Sequence, residues 1–409
     1  MSTLIKNIKQ LAGVRTEPKL LRGKDLAELP VIDNAWLRVE GDSIAGYGAM
    51  SELKNSREEN TIDATGQFVL PCWCDSHTHL VFAGSRENEF VDKIKGKTYA
   101  DIAANGGGIL NSAKKLNNSS EEELFSQAWK RLEQIRQTGT GAVEIKSGYG
   151  LTVDGELKML RVIKKLKEQS DLIIKATFLG AHAYPEAFKN DHQGYIRQIV
   201  DKMLPVIAAE KLADYIDVFC EEGFFSVAET EQILEAGKQF GLKPKIHANQ
   251  LHKSGGVQVG VKHGAVSVDH LETIDDEEIE CLQNSNTIAT ALPTAAFFLR
   301  MNYPLVRRML GNNIAVALAT DYNPGSSPSG NMPLLIALSC IQMKMTPQEA
   351  INAATINGAY AMEVEHEAGS ITVSKKANLI FTKPMPSLAY MPYSFGENLV
   401  EKVMINGRF

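Results

Sequence analysis

The chain has few cysteines, no long apolar run and no surplus of basic charge, and each shortage closes off a class of protein. Five cysteines scattered through 409 residues, an odd number, do not make a secreted disulfide framework. Cys220, Cys281 and Cys340 read as buried thiols. Cys72 and Cys74 are two residues apart and could in principle join a metal site, but no CxxC partner stands elsewhere, and strand interiors commonly hold thiols. No stretch reaches the roughly 20 apolar residues of a membrane span. Met1 to Gly23 lacks the apolar core and small-residue cleavage site of a signal peptide. A net charge of −6 offers no basic excess to a phosphate backbone. The expectation is a cytoplasmic globular protein that binds neither nucleic acid nor membrane.

What is present is periodic. From residue 68 onward, short apolar runs alternate with amphipathic segments, the pattern of βα units around a parallel sheet. Eight runs are countable: Phe68–Cys74, Gly141–Ile145, Ile173–Leu179, Tyr215–Cys220, Lys243–Ile246, Ala265–Val268, Thr287–Leu292 and Ile314–Ala319. Ser120-x-x-Glu123 is a capping box ahead of Leu124, Ala128, Leu132 and Ile135, and that helix should stop near Gly139. Thr346-Pro347-x-Glu349 opens another, running through Ala350 to Met362. Eight strands with crossovers predict an α/β fold, a (β/α)8 TIM barrel. Strand-like alternation at Trp36–Val39, Ile44–Tyr47, Gly369–Phe381 and Val400–Ile405, with turns at Gly41-Asp42 and Asn406-Gly407, predicts that both ends of the chain build one small β domain. The expected division is 1–67 and 367–409 for that domain and 68–366 for the barrel. Asn105-Gly106-Gly107-Gly108 reads as a flexible loop.

Barrel active sites form at the C-terminal ends of the strands, so those positions carry the functional signal. The first run leads into His77-Thr78-His79, whose imidazoles at i and i+2 leave the strand on one side. Taken alone, this pair could be two ordinary polar residues. The other runs lead into Lys146 and Tyr149, His182, His247 and Gln250, His270, and Asp321 and Asn323. Five of nine histidines therefore sit at strand ends, too many for scattered structural residues. His77, His79, His247 and Asp321 form a candidate ligand set, because three neutral imidazoles and a carboxylate suit Zn²⁺ or Fe²⁺ rather than Mg²⁺ or Ca²⁺. Such an ion would activate water, and Asp321 could also act as the base that carries the proton to a leaving nitrogen. The alternative for Asp321 is a cap before the Asn323-Pro324-Gly325 turn. His270, outside the ligand set, could polarise the carbonyl under attack.

The stretches HTHLVFAGSRENEF (77–90), NGGGIL (105–110), EIKSGYGL (144–151), TFLGAHA (177–183), KIHANQL (245–251), DHLE (269–272), LPTAAFFLR (292–300) and ATDYNPGSSP (319–328) resemble the metal-dependent amidohydrolase superfamily, and within it the branch that opens imidazolone rings. The resemblance spans the whole barrel and is weakest over the first 35 residues. It implies hydrolysis of the cyclic amide C–N bond of 4-imidazolone-5-propanoate to N-formimidoyl-L-glutamate in histidine degradation. It also implies one Zn²⁺ or Fe ion per subunit and a homodimer. The small-molecule substrate carries a propionate, and family positions that contact it fall on Arg86, Tyr149 and His182, with Tyr99 a weaker candidate; an arginine fork suits a carboxylate. Gln250 stands where many relatives place an acid and would orient water or a ring nitrogen by hydrogen bonding. Asn323, Gly325 and Ser326 match positions that face the ring. Dinuclear members carry a modified lysine at the end of strand four, whereas here that run ends in Phe219-Cys220-Glu221-Glu222, which favours a single ion. Another mononuclear amidohydrolase activity, a deaminase or a different cyclic-amide hydrolase, is the alternative. A non-enzymatic metal-binding barrel is a third reading and predicts a broken ligand set.

Overall fold

The structure, a computed structural model, describes residues 2–54, 60–97 and 107–409. Five strands precede the barrel: β1 (Ser2–Ala12), β2 (Val31–Glu40), β3 (Ser43–Ala49), β4 (Asn60–Asp63) and β5 (Phe68–Pro71). Eight then alternate with helices: β6 (Trp73–Thr78), β7 (Thr140–Lys146), β8 (Ile173–Ala181), β9 (Tyr215–Cys220), β10 (Lys243–Ala248), β11 (Ser267–His270), β12 (Ile288–Ala291) and β13 (Val316–Leu318). Two more, β14 (Leu379–Thr382) and β15 (Val400–Met404), lie near the C-terminus.

β6 to β13 pair in sequence order, every pair parallel, as right-handed βα crossovers require. The first and last strands meet to close the ring: Asp321 N donates to His77 O at 2.9 Å and His79 N to Tyr322 O at 2.9 Å. Beneath that seam the buried carboxylate of Asp75 accepts from Thr320 N at 2.9 Å and from Thr320 Oγ1 at 2.6 Å. Burial pushes the Asp75 carboxyl up to about 7, and the two Thr320 donors work against that rise.

The remaining strands form a second sheet in the order β15-β14-β5-β1-β2-β3, with β4 paired to β1. Both ends of the chain therefore build it, as the alternation predicts. β1, within the stretch of weakest resemblance, is its central strand, antiparallel to β2 and parallel to β4 and β5. Its core contains Leu11, Leu37, Val39, Leu379 and Phe381. Of the 369–381 segment only the last residues make a regular strand; Ile371 and Lys376 join by single bridges to Val14 and Ser43.

The run Phe68–Cys74, expected as one barrel strand, is divided. Phe68–Pro71 pairs with β1 and β14 in the small sheet, and the barrel strand begins at Trp73. Pro71 has no N–H for a ladder, and at Cys72 the chain crosses over, its N–H donating to Asn378 O at 3.0 Å. The Ser120 capping box forms as expected, with Leu124, Ala128, Leu132 and Ile135 buried and Gly139 at φ +102°. The helix expected through Met362 breaks at Thr355, whose Oγ1 bonds back to Ile351 O, giving Pro347–Ala354 and Ile356–Ala361. The second piece presses on β6, since a Cβ at Gly358 would fall on the Cys74 carbonyl oxygen. Cys72 and Cys74 are buried and belong to neither candidate metal group among the described residues, and burial pushes the Cys74 thiol up to about 12.

Thr320→Val strips the seam of a buried donor and leaves Asp75 short of a partner. Urea unfolding should show a loss of about 1–3 kcal/mol; an unchanged midpoint would remove Thr320 from barrel closure.

Candidate active site

Burial and strand geometry together determine which ring nitrogens face the barrel mouth. His77 and His79 leave β6 beside Asp321, whose Oδ1 lies 3.5 Å from the Nε2 of each. His77 Nδ1 donates to Asp269 Oδ2 at 2.7 Å, and His79 Nδ1 to the Ser147 carbonyl at 3.4 Å, so in both rings Nε2 carries the lone pair. His247, from β10, meets His77 edge to face with ring centroids 4.4 Å apart, and its Nδ1 lies 3.0 Å from Asp217 Oδ2.

His77, His79 and His247 each offer a ligand atom, all within 4.8 Å of one another; His77, His270 and Asp321 do the same. Three of the expected ligands thus converge, and Asp321 joins them through His77 and His79, grouping with His270 rather than His247. The fit to a cation is visible in unsatisfied atoms: His77 Nε2 and both nitrogens of His247 are buried without a hydrogen bond, and each neutral ring keeps one nitrogen lone pair. Lone pairs held this way suit a Lewis acid. Burial drives the imidazoles of His77, His79 and His247 well below their usual pKa and that of His182 down to about 4, so all four are neutral, as ligands must be.

Asp321 and His270 are shifted the other way. Burial pushes the Asp321 carboxyl up to about 6, against the opposing pull of His270, Ser326 and Asn323. Burial also opposes charge on His270, but Glu272, with Oε1 3.4 Å from His270 Nδ1, together with Asp321 and Asp269 outweighs it and raises the imidazole. Both residues hold left-handed backbone, at φ +54° for Asp321 and +87° for His270, a strained conformation that concentrates where a site demands it.

The turn after Asp321 is tied by its own side chains. Asn323 Oδ1 accepts from Gly325 N and Ser326 N, both at 2.8 Å, and Ser326 Oγ donates to Asp321 Oδ2 at 3.0 Å. Arg86 lies over this turn, so close that a Cβ at Gly325 would displace its Nη1. Its Nε and Nη2 donate to Glu89 Oε2. Tyr149 and His182 sit 5.4 Å apart between centroids and flank His79, His182 stacking on it at 5.4 Å. Gln250 is half-buried on the loop after β10. That loop is pinned by Glu221 Oε2, which accepts from Leu251 N at 2.9 Å and His252 N at 3.2 Å. Tyr99 lies outside the described residues, as do the first two residues of the Asn105–Gly108 loop.

The model of the amidohydrolase family matches residues 68–409. Imidazolonepropionase of Flavobacterium johnsoniae is 59% identical over the whole of both chains, and that of Alkaliphilus metalliredigens is 40% identical over 100% of this chain and 97% of the relative. The chain belongs to the amidohydrolase family, among the imidazolonepropionases. Solved amidohydrolase-like folds agree in architecture. Escherichia coli guanine deaminase superposes with a TM-score of 0.74 over 100% of this chain and 98% of its own at 11% identity. The 5-methylcytosine deaminase of Klebsiella pneumoniae gives 0.73 over 98% and 96% at 16%.

Beneath this amidohydrolase site lies a layer that sequence reasoning missed. Glu144, Lys146, Asp217, Lys245 and Asp269 are all fully buried inside the barrel. Lys146, read from sequence as a strand-end residue of the mouth, points into that layer and pairs with Glu144 and Asp217. Burial works against its charge, but Asp217, Glu144 and Asp269 more than restore it. The signal was available as polar residues at i and i+2 inside apolar strands, in Glu144-x-Lys146, Lys245-x-His247 and Ser267-x-Asp269.

The shifted groups set a pH dependence for the metal-free protein. His77, His79, His182 and His247 stay neutral when folded but take protons when unfolded below pH 6.5, so their contribution is lost as pH falls. Asp75 and Asp321, with raised values of about 7 and about 6, act in the opposite sense, as do the raised His270, Glu156 and Glu278, and offset part of this loss. Chelator-treated protein should be less stable to urea at pH 5.5 than at pH 7.5; stability that stays flat or rises would contradict neutral, buried imidazoles.

Proposed function

We infer that this chain hydrolyses the cyclic amide C–N bond of 4-imidazolone-5-propanoate, giving N-formimidoyl-L-glutamate in histidine degradation. The observation that carries the mechanism is the convergence of His77 Nε2 and His79 Nε2 on Asp321 Oδ1 at 3.5 Å, with His247 and His270 alongside. Full-length identity to imidazolonepropionases supports the substrate. A deaminase reading draws only on solved folds at 11–16% identity, which bear on architecture alone.

His77, His79, His247 and Asp321 would hold one Zn²⁺ or Fe ion, which when bound supplies Lewis-acid activation of the attacking water. The end of β9 offers Cys220 and Glu221 rather than a lysine, consistent with a single ion.

The chain's own groups divide the rest of the work. Asp321, a carboxylate near neutrality, takes the proton of the attacking water and delivers it to the ring nitrogen as the C–N bond breaks. His270, held toward its protonated form by Glu272, donates a hydrogen bond to the carbonyl oxygen as negative charge grows there. Arg86 binds the propionate with its forked guanidinium, Nη1 turned toward Gly325. Tyr149 and His182 form the wall beside His79, and Gln250, Asn323 and Ser326 orient the ring by hydrogen bonding. On the same reading the protein is a cytoplasmic homodimer that acts on a small molecule, with neither nucleic acid nor membrane as partner.

Purified protein supplied with 4-imidazolone-5-propanoate should release N-formimidoyl-L-glutamate, and His247→Ala should lower kcat by about a thousandfold or more. A metal-loaded wild type without turnover ends the functional reading; an active His247→Ala ends the ligand assignment. Arg86→Ala should raise KM by about 10–100-fold with kcat little changed, as loss of a charged hydrogen-bonding partner requires. An unchanged KM would remove Arg86 from carboxylate binding.

A further inference from the structure

We propose that Lys146 is a positioning residue of the metal site, holding in place the two carboxylates that orient His77 and His247. The proposal rests on the ligand set inferred above. Lys146 Nζ lies 2.8 Å from Asp217 Oδ2 and 3.5 Å from Asp269 Oδ2, with Glu144 Oε1 at 2.7 Å. Asp269 Oδ2 is the oxygen that accepts from His77 Nδ1 at 2.7 Å, and Asp217 Oδ2 is the oxygen that faces His247 Nδ1 at 3.0 Å. One ammonium on β7 thereby fixes two oxygens that set imidazoles on two other strands, β6 and β10.

Asp217 holds β10 a second time, its Oδ1 accepting from His247 N at 3.1 Å, and Asp269 Oδ1 is held by Ser267 Oγ at 2.6 Å. Each carboxylate is therefore held on one oxygen by its neighbourhood and on the other by Lys146; His77 is hydrogen-bonded to that oxygen of Asp269, and His247 Nδ1 lies 3.0 Å from that of Asp217. Side chains that orient ligating imidazoles govern metal affinity without touching the ion.

Lys245 provides the internal contrast. It is as deeply buried and in the same layer, but its ammonium pairs with Glu144 and lies 5.0 Å from the Tyr215 ring centroid. Neither oxygen that faces a histidine is among its ion-pair partners within the described residues. Three carboxylates (Glu144, Asp217, Asp269) and two ammoniums (Lys146, Lys245) leave the layer one negative charge. Asp321 adds a second, which balances a divalent ion amid neutral imidazoles. Without Lys146, the Asp217 and Asp269 oxygens that face the two histidines lose the one ammonium that both share as an ion-pair partner, and the two rings lose their fixed orientation.

Zinc affinity measured by chelator competition tests this on the wild-type chain, Lys146→Met and Lys245→Met, each checked for native circular dichroism. Lys146→Met should bind zinc about 10–100-fold more weakly and Lys245→Met within about threefold of wild type. A folded Lys146→Met with wild-type affinity, or an equal loss in Lys245→Met, overturns the proposal, because general layer charge would then explain everything. If Lys146→Met does not fold, Lys146→Gln loaded with Co²⁺ decides: a displaced visible d–d band supports the positioning role, and a wild-type band refutes it. A wild-type chain that binds no zinc fails the ligand set instead, which separates the two readings.

Discussion

Two backbone hydrogen bonds, from Asp321 N to His77 O and from His79 N to Tyr322 O, do more than close the barrel. They bring residues more than 240 positions apart into one ladder, which places a carboxylate beside two imidazoles as a consequence of strand pairing. The left-handed backbone of Asp321 is part of the same constraint, turning its side chain toward the mouth at the point where the ladder ends. Loop conformation does not have to be specified independently for this half of the site.

The other half depends on how a barrel interior can hold charge. A lone buried ion is destabilised by several kcal/mol, so charged side chains there must come as a set. Glu144, Lys146, Asp217, Lys245 and Asp269 form such a set, and their geometry extends upward through Asp269 to His77 and through Asp217 to His247. Burial keeps the upper imidazoles neutral, while Glu272 lifts His270 toward protonation; the same low-dielectric pocket thus contains both ligand-type and acid-type histidines.

Sequence periodicity was enough for the fold because both of its signals are local. Capping at Ser120 and Thr346 located the starts of two helices, apolar runs at βα spacing located all eight barrel strands, and the flanking alternation located the small sheet. The division of Phe68–Cys74 was not legible, since a buried strand in either sheet has the same composition and only long-range partners distinguish them. The mouth histidines were legible because strand ends are identifiable positions. The ionic layer was overlooked because Glu144 and Lys245 look like surface residues until the strand carrying them is known to be buried on both faces, and Lys146 was assigned to the mouth instead. Arg86 and Gly325 came from resemblance; their close approach across separate segments is a fact of three-dimensional packing that neither residue declares alone.

Diffraction at the zinc edge from crystals of the zinc-loaded protein tests the central claim most directly. A single anomalous peak per chain is predicted, bonded to His77, His79 and His247 nitrogens and an Asp321 oxygen at about 2.0–2.2 Å. Two peaks per chain, or one peak bound elsewhere, would contradict the account.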